Sequence, residues 1–115
     1  MRICVPSYNG GLDDYVCDHF GKAETFTIYD TESKEVEVIK NTSEHFGGSG
    51  RPPELIRAKN VDVVICGGIG AKAIAFFKSY GIKVFMGASG KVKDAIDQFL
   101  AGELREADVS MGCVH

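Results

Sequence analysis

Residues 62–70 read Asp-Val-Val-Ile-Cys-Gly-Gly-Ile-Gly, a run of four apolar residues that opens into a cluster of glycines. An apolar run without polar alternation is typical of a strand that is covered on both faces, so we predict a central strand here. Gly67, Gly68 and Gly70 accept backbone angles that other residues resist, and we expect a sharp turn followed by a helix that begins near Gly70. Open α/β sheets bind their ligands at this kind of strand end.

The length and composition predict one ordinary domain. Of the 115 residues, 44% are hydrophobic and 25% are charged; we assign the domain to residues 1–102, and a surface tail or last edge segment to residues 103–115. The formal net charge of -3 includes no run of Lys or Arg, which argues against nucleic acid and membrane surfaces as partners. The chain starts without an apolar leader and has no stretch near the roughly 20 apolar residues that span a bilayer, so we expect a cytoplasmic protein.

The four cysteines are too few and too scattered for a disulfide framework. Cys4 and Cys66 fall in apolar strands, where cysteine behaves as a small hydrophobic residue, and we expect both in the core. Cys17 and Cys113 lie in less regular segments and are candidates for metal ligands.

The elements predicted before the central strand are a strand and a hairpin. Residues 2–6 form a β-rich run that ends at a proline, and residues 7–21 are a polar loop punctuated by glycines. Residues 25–29 and 36–38 alternate apolar and polar side chains around turn material, which predicts a β-hairpin. Residues 41–53 are rich in Gly, Ser and Pro and are predicted to form a long loop.

The elements predicted after that loop alternate between helix and strand. A short helix is expected to begin at Pro52, because proline suits the first helical turn. Apolar spacing predicts a helix over residues 71–80, a strand over 82–86, and a last helix that Ser89 caps and Gly102 ends. The hairpin and the strand-helix-strand units together imply an α/β fold with a mixed sheet, in which the hairpin contributes one antiparallel strand.

The glycine turn partly matches a dinucleotide-binding fingerprint. Residues 68–73 read Gly-Ile-Gly-Ala-Lys-Ala, which fits G-x-G-x-x-A between a strand and a helix. The acid that would hold the ribose is missing, because the next strand ends at 85–88 in Phe-Met-Gly-Ala. A regulatory module that binds a nucleotide or small anion at the Gly67–Gly70 turn remains an alternative.

The placement of thiol and imidazole side chains indicates a binding site more strongly than the glycine turn does. Cys17 and His19 are two residues apart, as are Cys113 and His115, and in an extended segment such residues face the same way. Thiolate and imidazole are suitable ligands for zinc, iron and iron–sulfur centres. His45 lies in a glycine-rich loop with the order acid-His-Phe-Gly, which also surrounds His19. No catalytic constellation occurs, so binding is predicted in preference to catalysis, and a zinc-binding interaction domain is a further alternative.

Residues 18–23, Asp-His-Phe-Gly-Lys-Ala, resemble a specific motif of the dinitrogenase iron-molybdenum cofactor-binding family, the NifX and NafY type of nitrogenase accessory protein. Residues 26–30, 45–50, 61–70 and 81–84 resemble the same family, so the resemblance covers nearly all of the chain. It implies a three-layer α/β/α, ribonuclease H-like fold with a five-stranded mixed sheet and one antiparallel strand.

The resemblance also implies a small non-catalytic carrier for an iron–sulfur-containing metallocluster, the iron-molybdenum cofactor or a precursor. Cluster donor and acceptor proteins are the expected partners, and the expected state is a monomer or weak homo-oligomer. His19 is the leading ligand implied by the resemblance, and His45 is the second. Cys17, Cys113 and His115 are expected to assist.

The remaining expected contacts surround the cluster in a cleft at the carboxyl ends of the first and fourth predicted strands. Arg51 and Lys22 would offset the negative charge of the cluster, and the glycine turn would form the floor that leaves space for it. The expected cofactor-binding residues are Phe20, Gly21, Gly47, Gly48, Arg51, Gly67 and Gly68.

Overall fold

The structure, a computed structural model, describes residues 1–41 and 52–107. Three strands come first, and helices and strands alternate after them. The strands are β1 (Arg2–Ser7), β2 (Thr25–Asp30), β3 (Val36–Lys40), β4 (Val63–Ile65), β5 (Lys83–Met86) and β6 (Arg105–Glu106). The helices are α1 (Pro52–Arg57), α2 (Ala71–Ser79) and α3 (Val92–Leu100), and a single 3-10 turn spans Phe20–Lys22.

All six strands belong to one mixed sheet in the order β3-β2-β1-β4-β5-β6. β1 pairs parallel with β4, and β4 pairs parallel with β5, while β2 and β6 run antiparallel to their inner neighbours β1 and β5. The α/β class and the mixed sheet are confirmed. The prediction of five strands with one antiparallel is wrong, because β6 adds a sixth strand and a second antiparallel one; the ribonuclease H-like topology stays a prediction.

The sheet is covered on both faces, as the apolar run in β4 predicts. Cys4 of β1 faces the layer of α1 and α2, where it shares a buried cluster with Ile56 and Phe77. Its neighbours on β1 face the opposite layer, where α3 packs on the sheet through its own apolar positions. β4 is therefore buried from both sides, and the three-layer α/β/α arrangement is confirmed. The residues shared between the sheet and α3 include Ile3, Val5, Val63, Ile65, Val92, Ala95 and Ile96.

The predicted helix ends are confirmed, whereas one predicted helix start is wrong. Gly81 and Gly102 follow α2 and α3 with φ of 76° each, a left-handed conformation that glycine adopts without strain. Ser89 does not cap α3: the helix starts after Lys91, and no side chain caps its first turn. No helix within residues 1–41 and 52–107 has the length and apolar character needed to cross a membrane.

Candidate functional site

The carboxyl ends of β1 and β4 lie side by side. The parallel register pairs Ile3 with Val63 and Cys4 with Val64, so the segments that follow the two strands leave the sheet at the same edge. This confirms the prediction that the turns after the first and fourth strands open on one side. The segment after β1 contains His19, and the segment after β4 is the glycine turn.

The two segments are joined through their backbones. His19 forms a parallel bridge with Gly68. The N–H of Phe20 donates to the carbonyl of Gly68 at 3.1 Å, and the N–H of Gly68 donates to the carbonyl of Asp18 at 3.0 Å. We call residues 18–20 with residues 67–68 the backbone clamp. Its two hydrogen bonds flank His19, whose side chain is exposed, so the position of this histidine is fixed while its imidazole stays open to solvent.

Phe20 anchors the clamp to the core. It is 2% exposed, and its ring centroid lies 5.3 Å from that of Phe26 and 5.4 Å from that of Phe77 in an edge-to-face contact. Gly21 and Lys22 follow it in the 3-10 turn and are exposed. The side chain of Phe20 therefore fixes the buried side of the loop to the core. The exposed residues of this motif are His19, Gly21 and Lys22.

Cys17 and His19 do not face the same way. Cys17 is 4% exposed and belongs to the buried cluster around Phe20, and its thiol donates to the carbonyl of His19 at 3.4 Å. The prediction of a shared direction is wrong because the chain bends at Asp18, and the alternation of an extended strand does not apply across a bend. In this conformation the thiol of Cys17 supports the loop from inside.

Gly67 is required by a close approach of backbones. A Cβ atom at this position would lie 3.3 Å from the carbonyl oxygen of Ala88 and 3.4 Å from that of Asp18. Neither Gly67 nor its neighbours Gly68 and Gly70 has a positive φ, so the expected reason for these glycines, unusual backbone angles, is wrong. Gly70 has a φ of -76°, and a Cβ on it would meet nothing within 4 Å. The absence of a side chain at Gly67 is what lets the loop of His19 lie against the turn.

Asp14 orders the first half of the same loop, a role that the sequence reasoning missed. Its carboxylate accepts hydrogen bonds from the N–H groups of Tyr8, Asn9 and Gly10, each at 2.8 Å. Partial burial opposes the effect, but these donors, together with the N–H of Tyr15, hold the pKa of Asp14 below its ordinary value. The signal for this role is an aspartate shortly after an Asn-Gly-Gly turn, since such side chains accept bonds from nearby backbone N–H groups.

Buried hydroxyl groups fasten the loop to the sheet. The hydroxyl of Ser7 is 2.6 Å from that of Thr25 and 2.9 Å from that of Thr27. The Thr27 hydroxyl also accepts a hydrogen bond from the N–H of Gly11 at 3.0 Å. Gly10 has a φ of 96°, and a Cβ on it would overlap the side chain of Val38. The segment between β1 and His19 is therefore held from the sheet as well as by Asp14.

An open cavity of about 480 Å³ adjoins the glycine turn. It lies beside Gly67 at the carboxyl ends of β4 and β5, and the sequence reasoning did not anticipate it because half of its wall comes from the segment that enters β6. Its charged residues, Glu103 and Arg105, are both exposed and have opposite signs. The lining residues are Gly67, Met86, Gly87, Glu103, Leu104 and Arg105.

The described residues contain few side chains that could bind a metal ion. No three His, Cys, Asp or Glu side chains in residues 1–41 and 52–107 are placed to hold a metal ion together. His19 is the histidine that these ranges contain. The other predicted contacts lie outside the described residues, so no geometry tests them. They are His45, Gly47, Gly48, Arg51, Cys113 and His115.

Cys4 and Cys66 are core residues, as predicted. Both are 0% exposed, and the three cysteines of the described ranges form no disulfide with one another. Burial, and to a lesser extent the nearby Cys66, raises the pKa of the Cys4 thiol far above its ordinary value. A thiol that resists deprotonation is a poor metal ligand.

The arrangement is that of open α/β proteins, a class in which ligands bind at the carboxyl ends of the strands. The chain belongs to the dinitrogenase iron-molybdenum cofactor family, whose family model matches residues 1–102. The resemblance found in the sequence is thereby confirmed.

Individual relatives agree with the family assignment. The chain is 32% identical over 111 residues to the protein MJ0580 of Methanocaldococcus jannaschii, covering 92% of this chain and 91% of that one. The apo form of the orange protein from Desulfovibrio gigas matches with a TM-score of 0.85 at 28% identity, covering 92% of both chains. The Thermotoga protein TM1290 matches with a TM-score of 0.79 at 39% identity, covering 91% of both.

Proposed function

We propose that this protein is a small, non-catalytic cytoplasmic carrier of an anionic iron–sulfur-containing metallocluster, with the iron-molybdenum cofactor or a precursor as the cargo class. His19 is the protein ligand, and the cluster lies over the backbone clamp. The family carries the name of such a cofactor, and one structural relative is the apo form of the orange protein. Proteins that assemble or use the cluster are the proposed partners.

The observation that carries this proposal is the clamp itself. It holds the backbone of His19 by hydrogen bonds on both sides while the imidazole remains in solvent. A preassembled cluster brings its own sulfide ligands, so it needs fewer protein ligands than a bare metal ion, and His19 is proposed as the first of them. A ligand fixed before binding loses little conformational entropy when the cargo arrives.

A single zinc ion would need protein ligands from outside the described residues. Structural zinc sites use four protein ligands and catalytic sites use three, whereas the described ranges hold no set of three. A zinc site would have to recruit ligands from His45, Cys113 and His115. The cluster proposal requires His19 and treats those three residues as auxiliary ligands.

Lys22 supplies a positive charge on a loop where Asp18 and Glu24 carry negative ones. Lys22 is exposed at the end of the 3-10 turn that follows His19, on the same loop. An ammonium group near a sulfide-rich cluster offsets part of its charge and can donate hydrogen bonds to it. Arg51 is proposed to act in the same way.

The glycine turn is poorly suited to the nucleotide alternative. A phosphate cradle needs free backbone N–H groups at the turn between strand and helix. The N–H of Gly68 is already bonded to the carbonyl of Asp18, and this bond is part of the clamp. A nucleotide phosphate would have to break it, which supports the role of the turn as the floor of a cluster site.

Anaerobic reconstitution tests the proposal. The full chain is incubated with iron and sulfide, or with isolated iron-molybdenum cofactor, and bound iron, sulfide and the visible spectrum are measured after gel filtration. We expect His19→Ala to weaken cluster binding by at least about tenfold and His19→Cys to retain it, because a thiolate also binds iron. Lys83→Ala is the control, since Lys83 is an exposed residue at the opposite, amino-terminal end of β5.

Two results contradict the proposal. The first is equal cluster binding by wild type and His19→Ala. The second is stoichiometric zinc without sulfide, which would establish the zinc-binding alternative. A thermal shift with adenine nucleotides in place of the cluster would establish the nucleotide-binding module, since a ligand at 100 times its Kd adds about 2.7 kcal/mol of stability.

A further inference from the structure

β3 forms an open edge of the sheet. Its one neighbour in residues 1–41 and 52–107 is β2. Glu37 and Ile39 direct their backbone groups toward β2, so the outward N–H and C=O groups of Val36, Val38 and Lys40 lack strand partners there. The opposite edge, β6, has only two residues, a length that discourages pairing with another chain. Glu37 does not guard the β3 edge, because its carboxylate is held at 2.6 Å by Lys59 and at 3.3 Å by Arg2 of the same molecule.

The same strand presents apolar side chains to solvent. Val36 and Val38, on the α3 side of the sheet, are 41% and 43% exposed. Val36 lies opposite Tyr29 of β2, and Tyr29 lines a cavity with Leu12 and Leu100 beside α3. In the described part of the chain, α3 packs over β1 and β4 and leaves the β2–β3 side of this face without a helix. Val36 therefore extends the apolar surface from the cavity to the strand edge, while Gly10 packs against one side of Val38.

We propose that this edge binds a second copy of the chain, with the two β3 strands antiparallel and Val38 opposite Val38 of the second copy. An edge strand is self-complementary in this arrangement, because each copy supplies the N–H and C=O groups that the other lacks. The valines of both copies then form one apolar stripe on the α3 side. The twofold axis passes between the two Val38 residues, perpendicular to the sheet.

The charges of the strand favour this register. Val36 faces Lys40 of the second copy, whose aliphatic stem can cover the valine, and no two like charges stand opposite each other. A register centred on Glu37 would instead place two carboxylates face to face, which is unfavourable. Gly10 of the loop that follows β1 packs against Val38, but His19 lies further along that loop and is bridged to Gly68 after β4. The proposed interface uses no contact of His19, so it does not depend on the proposed function.

Sedimentation equilibrium of the full chain, from micromolar to millimolar concentration, tests the interface with two variants of one exposed residue. Val36→Lys places an ammonium group opposite Lys40 of the second copy, twice by symmetry, and is expected to raise the dimer Kd by about tenfold. Val36→Glu removes the same apolar surface but places a carboxylate opposite Lys40. Its dimer Kd is expected to be at least about tenfold lower than that of Val36→Lys.

Circular dichroism and thermal unfolding establish that both variants fold. A wild-type chain that stays monomeric up to millimolar concentration overturns the proposal. So does a dimer whose Kd is the same in the Lys and Glu variants, because such a dimer uses another surface. If Val36→Lys fails to fold, the comparison of Val36→Glu with wild type decides the question, since tighter association is expected only where Lys40 faces position 36.

Discussion

Gly67→Ala tests whether the close approach at the glycine turn positions His19. The new Cβ would lie 3.3 Å from the Ala88 carbonyl oxygen, 3.4 Å from the Asp18 carbonyl oxygen and 3.7 Å from the Asp18 Cα. All three atoms belong to the backbone, so no side chain can rotate away to relieve the contact. The tightest contact is with Ala88, so the turn has to shift by a few tenths of an ångström between the Ala88 and Asp18 backbones, and its position relative to the loop that carries His19 changes.

The expected loss of stability follows from two opposing terms. Overpacking of this kind costs about 1–3 kcal/mol. Replacing glycine by alanine at a negative φ returns about 0.4–1 kcal/mol, because the unfolded chain loses freedom. The net destabilisation is therefore about 1 kcal/mol or somewhat more, which lowers the Tm of a domain of this size by roughly 4–8 °C.

Gly70→Ala is the matched control within the same turn. A Cβ at Gly70 meets nothing within 4 Å, and its φ of -76° suits alanine. Both substitutions remove the same freedom from the unfolded chain, so the difference between them isolates the contact at Gly67. We expect Gly70→Ala to be as stable as wild type or slightly more stable, and to bind the cluster normally.

Thermal unfolding and anaerobic cluster binding of the two variants give the answer together. We expect Gly67→Ala to have the lower Tm and the weaker cluster binding. If Gly67→Ala matches Gly70→Ala in both measurements, the close approach does not position His19 and the reasoning about the clamp is refuted. A loss of stability with unchanged binding would show that the contact is structural only.

Three further predictions concern the loop and the core. Phe20→Ala should cost about 3–5 kcal/mol in denaturant unfolding, because the buried ring anchors the clamp; a loss under about 1 kcal/mol would contradict the anchoring role. Asp14 has a lowered pKa in the folded state, so it contributes stability above its ordinary value of 3.8 that is lost as the pH falls through the folded value. Asp14→Asn should therefore lie below wild type near neutral pH and converge with it in acid, and a constant difference across that range would count against the hydrogen bonds as the cause. Cys4 should resist iodoacetamide in the native protein at pH 8 and react only in denaturant, since burial raises its pKa; native labelling seen by mass spectrometry would refute this.

The sequence was sufficient to predict the central part of the fold. The unbroken apolar run of β4 indicated burial on both faces, and the apolar spacing of α2 and α3 indicated their helices. Gly81 and Gly102 correctly marked where these helices end. β6 was predicted only as one of two alternatives, a last edge segment within residues 103–115, because Arg105 and Glu106 are both exposed and a two-residue strand carries no alternation to detect. The count of five strands failed for that reason.

The candidate site was only partly predictable for a different reason. His19 could be found from its local motif, and the structure leaves its imidazole exposed. The roles of Gly67 and Cys17 depend on contacts between segments far apart in the chain, which spacing alone does not show. We predicted that Gly67 is needed for unusual backbone angles, whereas the structure shows that it leaves space beside the Ala88 and Asp18 backbones. Cys17 suggested a ligand but lies inside the loop, because the bend at Asp18 separates it from His19.

The backbone clamp also has a consequence for the order of folding. The hairpin of β2 and β3 and its pairing with β1 join segments that are near one another in sequence, whereas the bridge between His19 and Gly68 requires the distant pairing of β1 with β4. Contacts of such long range form late, since the intervening chain must first be ordered. A partly synthesised or partly folded chain therefore lacks the surface that presents His19, and under the proposed function such a chain would not bind the cluster.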